Sequence, residues 1–438
     1  LSIRVGGDFT NETLKVARLV DKLDGCEGKA CGTLRTDWSV AEIAAGGDLT
    51  LVADGTLTNW GGSIGAVGDA VLAAADGIHM QTLQDSFLLK DVKARGFLSG
   101  SHVVEHAILT QEAQAKSLTG NLSILAGYSL CADGKLCAAG DGTANAVLNG
   151  AVISAYEDVT LAAQGDVTLG AVSTSVDNKN KQWGFAGLSW SKVRQEWNSV
   201  DTRVTRIAGE NVAINAGGDI TGVGSKIAAA NDLLILADGT VSFKAAQDQR
   251  YFTEKGFSIG LTFPGSAGID AALKGGSGQE VLTGLASINP FTATLARLSQ
   301  SENGLGAALA SAYVTVGGLN GLKGGPGALG ALIDPTSPFR DASGALTGQS
   351  VLSSIGINIS NWKTEQRWSE SAQAQLSAGN DLVLKAGLDV VLAGGTQLVA
   401  RGDALVKAER DVILAALADY ADTKARSFSL SIKPLALE

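Results

Sequence analysis

Three histidines and four cysteines in 438 residues leave this chain short of residue types that much enzyme chemistry uses, and it has only six prolines. Aromatic residues make up only 5% of it, fewer than a broad globular core normally takes; Val, Leu, Ile and Ala suit a narrow interior instead. The scarcity of proline fits continuous strand pairing, because each proline removes a ladder donor. No run of eighteen apolar residues is present, which excludes a transmembrane helix. Cations are in the minority, 34 Lys and Arg against 44 Asp and Glu, for a net charge of −10. That balance lacks the basic footprint of a nucleic-acid binder and disfavours anionic membrane surfaces.

What the chain has is repetition. A small residue, usually Gly, is followed by Asp or Asn and then an alternating apolar strand, as in Asp48-Leu49-Thr50-Leu51. Further copies begin at Asp69, Asn121, Asp158, Asp166, Asn211, Asp219, Asp232, Asp381, Asp389, Asp403 and Asp411. Several come as pairs eight residues apart, and a larger step of 21 or 22 residues separates 48 from 69, 211 from 232, and 381 from 403. A fixed period of this length is the mark of a stacked architecture. Within each phrase the apolar side chains fall two apart (Val159/Leu161, Val212/Ile214, Leu382/Leu384, Val412/Leu414), which is strand periodicity. The Gly-Asp and Gly-Asn steps suit corners, since Gly, Asn and Asp best tolerate the conformations that corners need. One coil then holds two strands and a third side. A lone coil cannot bury its apolar face, but a stack can. The fold class is all-β: a right-handed parallel β-helix, with right-handedness the rule for parallel crossovers. About a dozen coils predict a rod on the order of 60 Å long.

The phrases assign coils to 1–171, 209–240 and 378–417, and they stop at 172–208 and 241–377. Both interruptions contain outgoing and returning alternating strands with tryptophans, and 418–438 starts a third such excursion. These are predicted hairpins, lying along the rod or protruding from it. Their aromatic and apolar residues, Trp183, Phe185, Trp190, Phe257, Ile259, Leu261, Phe263 and Trp362, are candidates for contact with a partner or a membrane, because aromatic enrichment marks interfaces as well as packing. The second excursion holds a Gly/Ala-rich insert at 264–352, with short helices predicted over 279–299 and 303–314.

Four cysteines form two close pairs, Cys26/Cys31 and Cys131/Cys137, in Gly- and Asp-containing loops. Local disulfides in an oxidising compartment, a four-Cys zinc site and free thiols are all open readings. The spacing in His102-Val-Val-Glu-His106 would suit metal ligation on a helix, but its surroundings read as strand. His79 falls at an outward position and Met80 inward. The turn acids differ in period and glycine placement from calcium-binding nonapeptide repeats, so they read as corner stabilisers. No phosphate loop, nucleophile elbow or Cys/His pair is present, and no cofactor is expected.

The phrases Ala45–Leu51, Gly209–Asp219 and Ala245–Asp248 with Lys255-Gly-Phe-Ser-Ile-Gly260 resemble the haemagglutinin-repeat region of filamentous-haemagglutinin-type exoproteins. The resemblance implies secretion through an outer-membrane transporter to the surface of a Gram-negative bacterium. Two branches follow from it: toxin carriers of contact-dependent growth inhibition, in which the segment would be a non-enzymatic stalk supporting target-cell contact and delivery, and filamentous adhesins that bind host surfaces. A target-cell surface or outer membrane is the implied partner, and the segment itself is expected to be monomeric. The enzymatic alternative is a β-helical polysaccharide-degrading enzyme. The chain opens on a strand-like segment without Met and reads as a piece of something longer.

Overall fold

The computed structural model describes residues 1–20, 31–95, 99–139, 142–186, 189–262, 356–416 and 418–432. Among them there are strands and no helix. Cys26, Phe263 and the helices predicted over 279–299 and 303–314 lie outside the described residues, as does the insert at 264–352. All six prolines lie outside them too, so no described strand is interrupted by one.

The chain winds as a parallel β-helix with three faces. Among the described residues nine strands stack on the first face, from Ser2–Val5 to Ala404–Ala408. The second face also runs through nine rungs, from Phe9–Glu12 to Val412–Ala415, and eight strands form the third, from Glu42–Ala45 to Gln397–Ala400. At about 4.8 Å per rung, nine coils make a rod of about 40 Å. That is shorter than a dozen coils would give, because hairpins take up more of the chain than the phrases indicate.

Register explains the period. Leu122 lies beside Val159, Val159 beside Val212, Val212 beside Leu233 and Leu233 beside Leu382. Each of these is at most 1% exposed, so like residues stack into one apolar column. Met80 is buried and His79 outside, on the strand Gly77–Gln81. Val412 and Leu414 sit in register over buried Val390 and Leu392 but are 49% and 73% exposed, because no described coil covers them.

The recurrent acid holds the coils together at the corner before the first face. The Asp48 side chain accepts the Asp69 amide, Asp69 the Asn121 amide, and Asn121 the Asp158 amide. The series continues through Asn211, Asp232, Asp381 and Asp403, with every bond between 2.8 and 3.2 Å. Each carboxylate or amide thus satisfies a corner N–H that the strand ladders leave unpaired.

The corner between the second and third faces alternates. In the even-numbered coils it is turned by a glycine with φ near +60 to +70°: Gly61, Gly150, Gly224 and Gly394. In the odd-numbered coils the chain leaves the rod there as a hairpin. The first hairpin is Leu14–Val20 with Cys31–Ser39, and the second is Leu83–Arg95 with Ser99–Gln111. Both fall inside 1–171, which the sequence phrases assign to coils alone. The third pairs Val167–Ala186 with Ser189–Val204, and the fourth pairs Ala246–Thr262 with Gly356–Ala372. Strand Tyr420–Ile432 follows.

Candidate functional site

The hairpin strands pair across hairpins as well as within them, so all nine form one antiparallel sheet alongside the rod. Neighbouring side chains on opposite faces of the sheet, such as Lys181 and Gln182, are both exposed, so the sheet stands off the rod as a fin and does not lie on its flank. Strand Val167–Ala186 belongs both to the second face and to the fin, which joins parallel and antiparallel sheets into one network without closing a barrel. Seventeen-residue strands such as Ala246–Thr262 carry the fin on the order of 50 Å outward.

Alternation gives the fin two unlike faces. At the tip of one face, Trp190, Ile259, Ile359 and Leu430 lie side by side on four strands. Trp190 and Phe257 meet with ring centroids 5.8 Å apart, and Ile259, Phe428 and Leu430 remain exposed. At the same height on the other face runs a serine row, Ser191, Ser258, Ser360 and Ser429, with Ser258 and Ser360 hydroxyls 2.6 Å apart.

The candidates chosen from sequence separate on these faces. Trp183, Trp190, Phe257 and Ile259 share the apolar face. Trp362 is on the other: its ring occupies the space above Gly256, and its Nε1–H donates to Glu254 Oε1 at 2.8 Å. Glu254, only 6% exposed, accepts a second bond from the Gln195 amide at 2.8 Å. Trp362 is thus a packing residue of the fin. Trp183 covers Gly100 in the same way while staying on the apolar face. For Phe185 and Leu261 the structure describes backbone register alone.

Toward the rod from the apolar tip, the same face carries Lys181, Arg194, Lys255, Lys363 and Arg426 directly opposite one another on five strands. Arg194 pairs with Glu196, and Lys363 with Glu365. The hydrogen bond from Lys363 holds the Glu365 carboxyl below its ordinary value against the opposing effect of burial, and the charges of Lys363, Arg367 and Lys255 add to it. No sequence pattern points to this row, because it exists only once distant strands are in register.

The chemical candidates lie elsewhere. His102 and His106 sit on strand Ser99–Gln111 of the second hairpin, where a four-residue separation is about 13 Å along one face. Among the described residues no group of three or more His, Cys, Asp or Glu could hold a metal ion. Cys131 and Cys137 are joined by a disulfide, Cα–Cα 5.9 Å, closing the small hairpin of Tyr128–Leu130 and Leu136–Ala138. At the fin base Gln81, Gln84, Asn149 and Ser173 line an open cleft that offers amides and a hydroxyl but no titratable group.

Residues 186–289, which begin at the tip of the third hairpin and run through the outgoing strand of the fourth, match the haemagglutinin-repeat family. The chain carries a filamentous-haemagglutinin-type repeat region. A hemolysin of Proteus mirabilis is 25% identical to it over 229 residues, 51% of this chain. The haemagglutinin-repeat chain spans 14% of that hemolysin's length. No solved structure matches it.

Proposed function

We propose that this haemagglutinin-repeat region is a non-enzymatic β-helical stalk segment of a secreted bacterial exoprotein, and that its fin is the surface offered to a target cell. The family match and the hemolysin relative support export by two-partner secretion, through an outer-membrane transporter, to the surface of a Gram-negative bacterium. One observation carries the assignment of contact to the fin. Four strands present Trp190, Ile259, Ile359 and Leu430 on one face of a sheet held away from the rod. Cross-strand packing within the sheet still leaves Ile259, Phe428 and Leu430 exposed, and exposed apolar patches mark interaction surfaces. In the toxin-carrier branch this contact supports delivery of a C-terminal toxin.

The test is the parent protein carrying Phe257→Asp with Ile259→Asp. Both side chains project from the fin and neither belongs to the rod core, so the far-ultraviolet circular dichroism should be unchanged. Contact with target cells, and delivery by a toxin-bearing parent, should be lost. A folded variant that delivers normally would refute the role given to the fin. Cleavage of a polysaccharide by the purified chain would overturn the non-enzymatic reading.

A further inference from the structure

The cationic row conflicts with the stability of the sheet that holds it. Like charges directly opposite on neighbouring strands are destabilising. Here the pairs Lys181/Arg194, Arg194/Lys255, Lys255/Lys363 and Lys363/Arg426 are all like-charged. Their spacing of about 5 Å is inside the Debye length of about 8 Å, so salt does not hide the repulsion. Glu196 and Glu365 relieve Arg194 and Lys363. Lys181, Lys255 and Arg426 are exposed and make no ion pair with a described carboxylate. The row towards the tip adds Lys192 and no acid, and the row towards the rod adds Lys179 and Lys424. Over these three rows eight cations face two carboxylates, in a chain where acids outnumber bases 44 to 34. Conflicts between local stability and sequence choice concentrate at functional positions.

We infer that this row binds a linear anionic polysaccharide laid along the fin, parallel to the rod axis. The five cations form a straight line at the strand pitch, spanning about 20 Å, which is the geometry of a chain of regularly spaced negative groups. Trp183, Phe257 and Phe428 flank the line in the next row, where their rings can stack against sugar rings. A lipid bilayer fits less well. Dipping the tip into one would take the serine row of the opposite face, and the open edge of the sheet, into hydrocarbon, which does not tolerate unpaired backbone groups.

The inference rests on the fin being a contact surface, but its test uses the purified 438-residue chain with the apolar tip unaltered, so it fails separately from delivery by the parent. Binding to chondroitin sulfate and to polygalacturonate is measured at low and physiological salt, with dextran as the neutral control. Phosphatidylcholine vesicles containing phosphatidylglycerol form the lipid arm. The wild-type chain should bind both polyanions, not dextran, and more weakly as salt rises. Lys181→Gln, Lys255→Gln and Arg426→Gln together should lower affinity about tenfold or more. Because these changes remove repulsion, the melting temperature should stay level or rise. Failure of the wild-type chain to bind either polyanion at low salt would overturn the inference. So would equal binding by the triple variant, or a fall in its melting temperature, which would make the row structural. Binding to the vesicles alone would reassign the row to a lipid surface.

Discussion

Asp232 shows what the most frequent residue of the repeat does. Its Oδ1 accepts the Asp381 amide at 3.1 Å and the Asn380 side-chain amide at 2.8 Å, tying one coil to the next at an exposed corner. Water can replace a lost partner there, so the expected cost of Asp232→Ala is that of an ordinary hydrogen bond, about 1 kcal/mol. Asp232→Asn should be nearly neutral, because Asn121 and Asn211 already accept the next coil's amide elsewhere in the same ladder. The midpoint of chemical denaturation for the two variants decides this. If Asn lowers it as much as Ala does, the residue is kept for its charge and the hydrogen-bond account is wrong.

Among the elements, the corner between the second and third faces decides whether a coil closes or sends out a hairpin. Gly224 closes one with φ of +60°, and a Cβ there would lie 2.8 Å from Val204 and 3.0 Å from Ala246, the bases of two adjoining hairpins. Gly224→Ala should therefore cost the left-handed backbone penalty of about 1–2 kcal/mol and a packing clash besides. Gly134, with φ of +76° and open space around it, is the matched control: Gly134→Ala should cost the backbone share alone. Thermal unfolding of the pair separates the two contributions, and equal losses would show that the hairpin bases do not press on the corner. Much at this scale was legible in the sequence. The Asp and Asn phrases mark strands of the first and second faces because each begins at a corner that needs them. Third-face strands such as Lys226–Ala229 and Arg206–Gly209 have no such flag. The first two hairpins were missed because tryptophan served as the marker of an excursion, and in these hairpins only Trp38 supplies one. The face of Trp362 was legible in principle, since it is three residues from Ile359 and so alternates to the opposite side. The cationic row was not legible, because its five residues come from five strands whose register depends on the rod.

For the molecule as a whole, the rule that hairpins leave every second coil has a geometric cause. A coil occupies one strand spacing along the axis and a hairpin occupies two, both set by the same repeat of about 4.8 Å. One hairpin per two coils fills the fin with no gap and no overlap, and the rod acts as a ruler that sets strand register in the fin. Among the described residues the arrangement leaves edge strands only at the ends of the fin, whereas isolated protruding hairpins would each expose two. It follows that removing one hairpin should damage its neighbours more than the rod. Replacing residues 171–204 by a short corner like Gly150-Ala151 keeps the fifth coil in the stack, because the Val159–Ala163 and Arg206–Gly209 strands on either side retain their parallel partners. The gap left in the fin is two strands wide, about 10 Å beyond pairing distance. Strands Ser99–Gln111 and Ala246–Thr262 then become bare edges. Hydrogen exchange should show protection retained in the coil strands and lost in those two, and sedimentation should show concentration-dependent self-association through the new edges. A monomeric variant with unchanged protection in both strands would mean that each hairpin is stable without its neighbours, and the rod would no longer be what orders the fin.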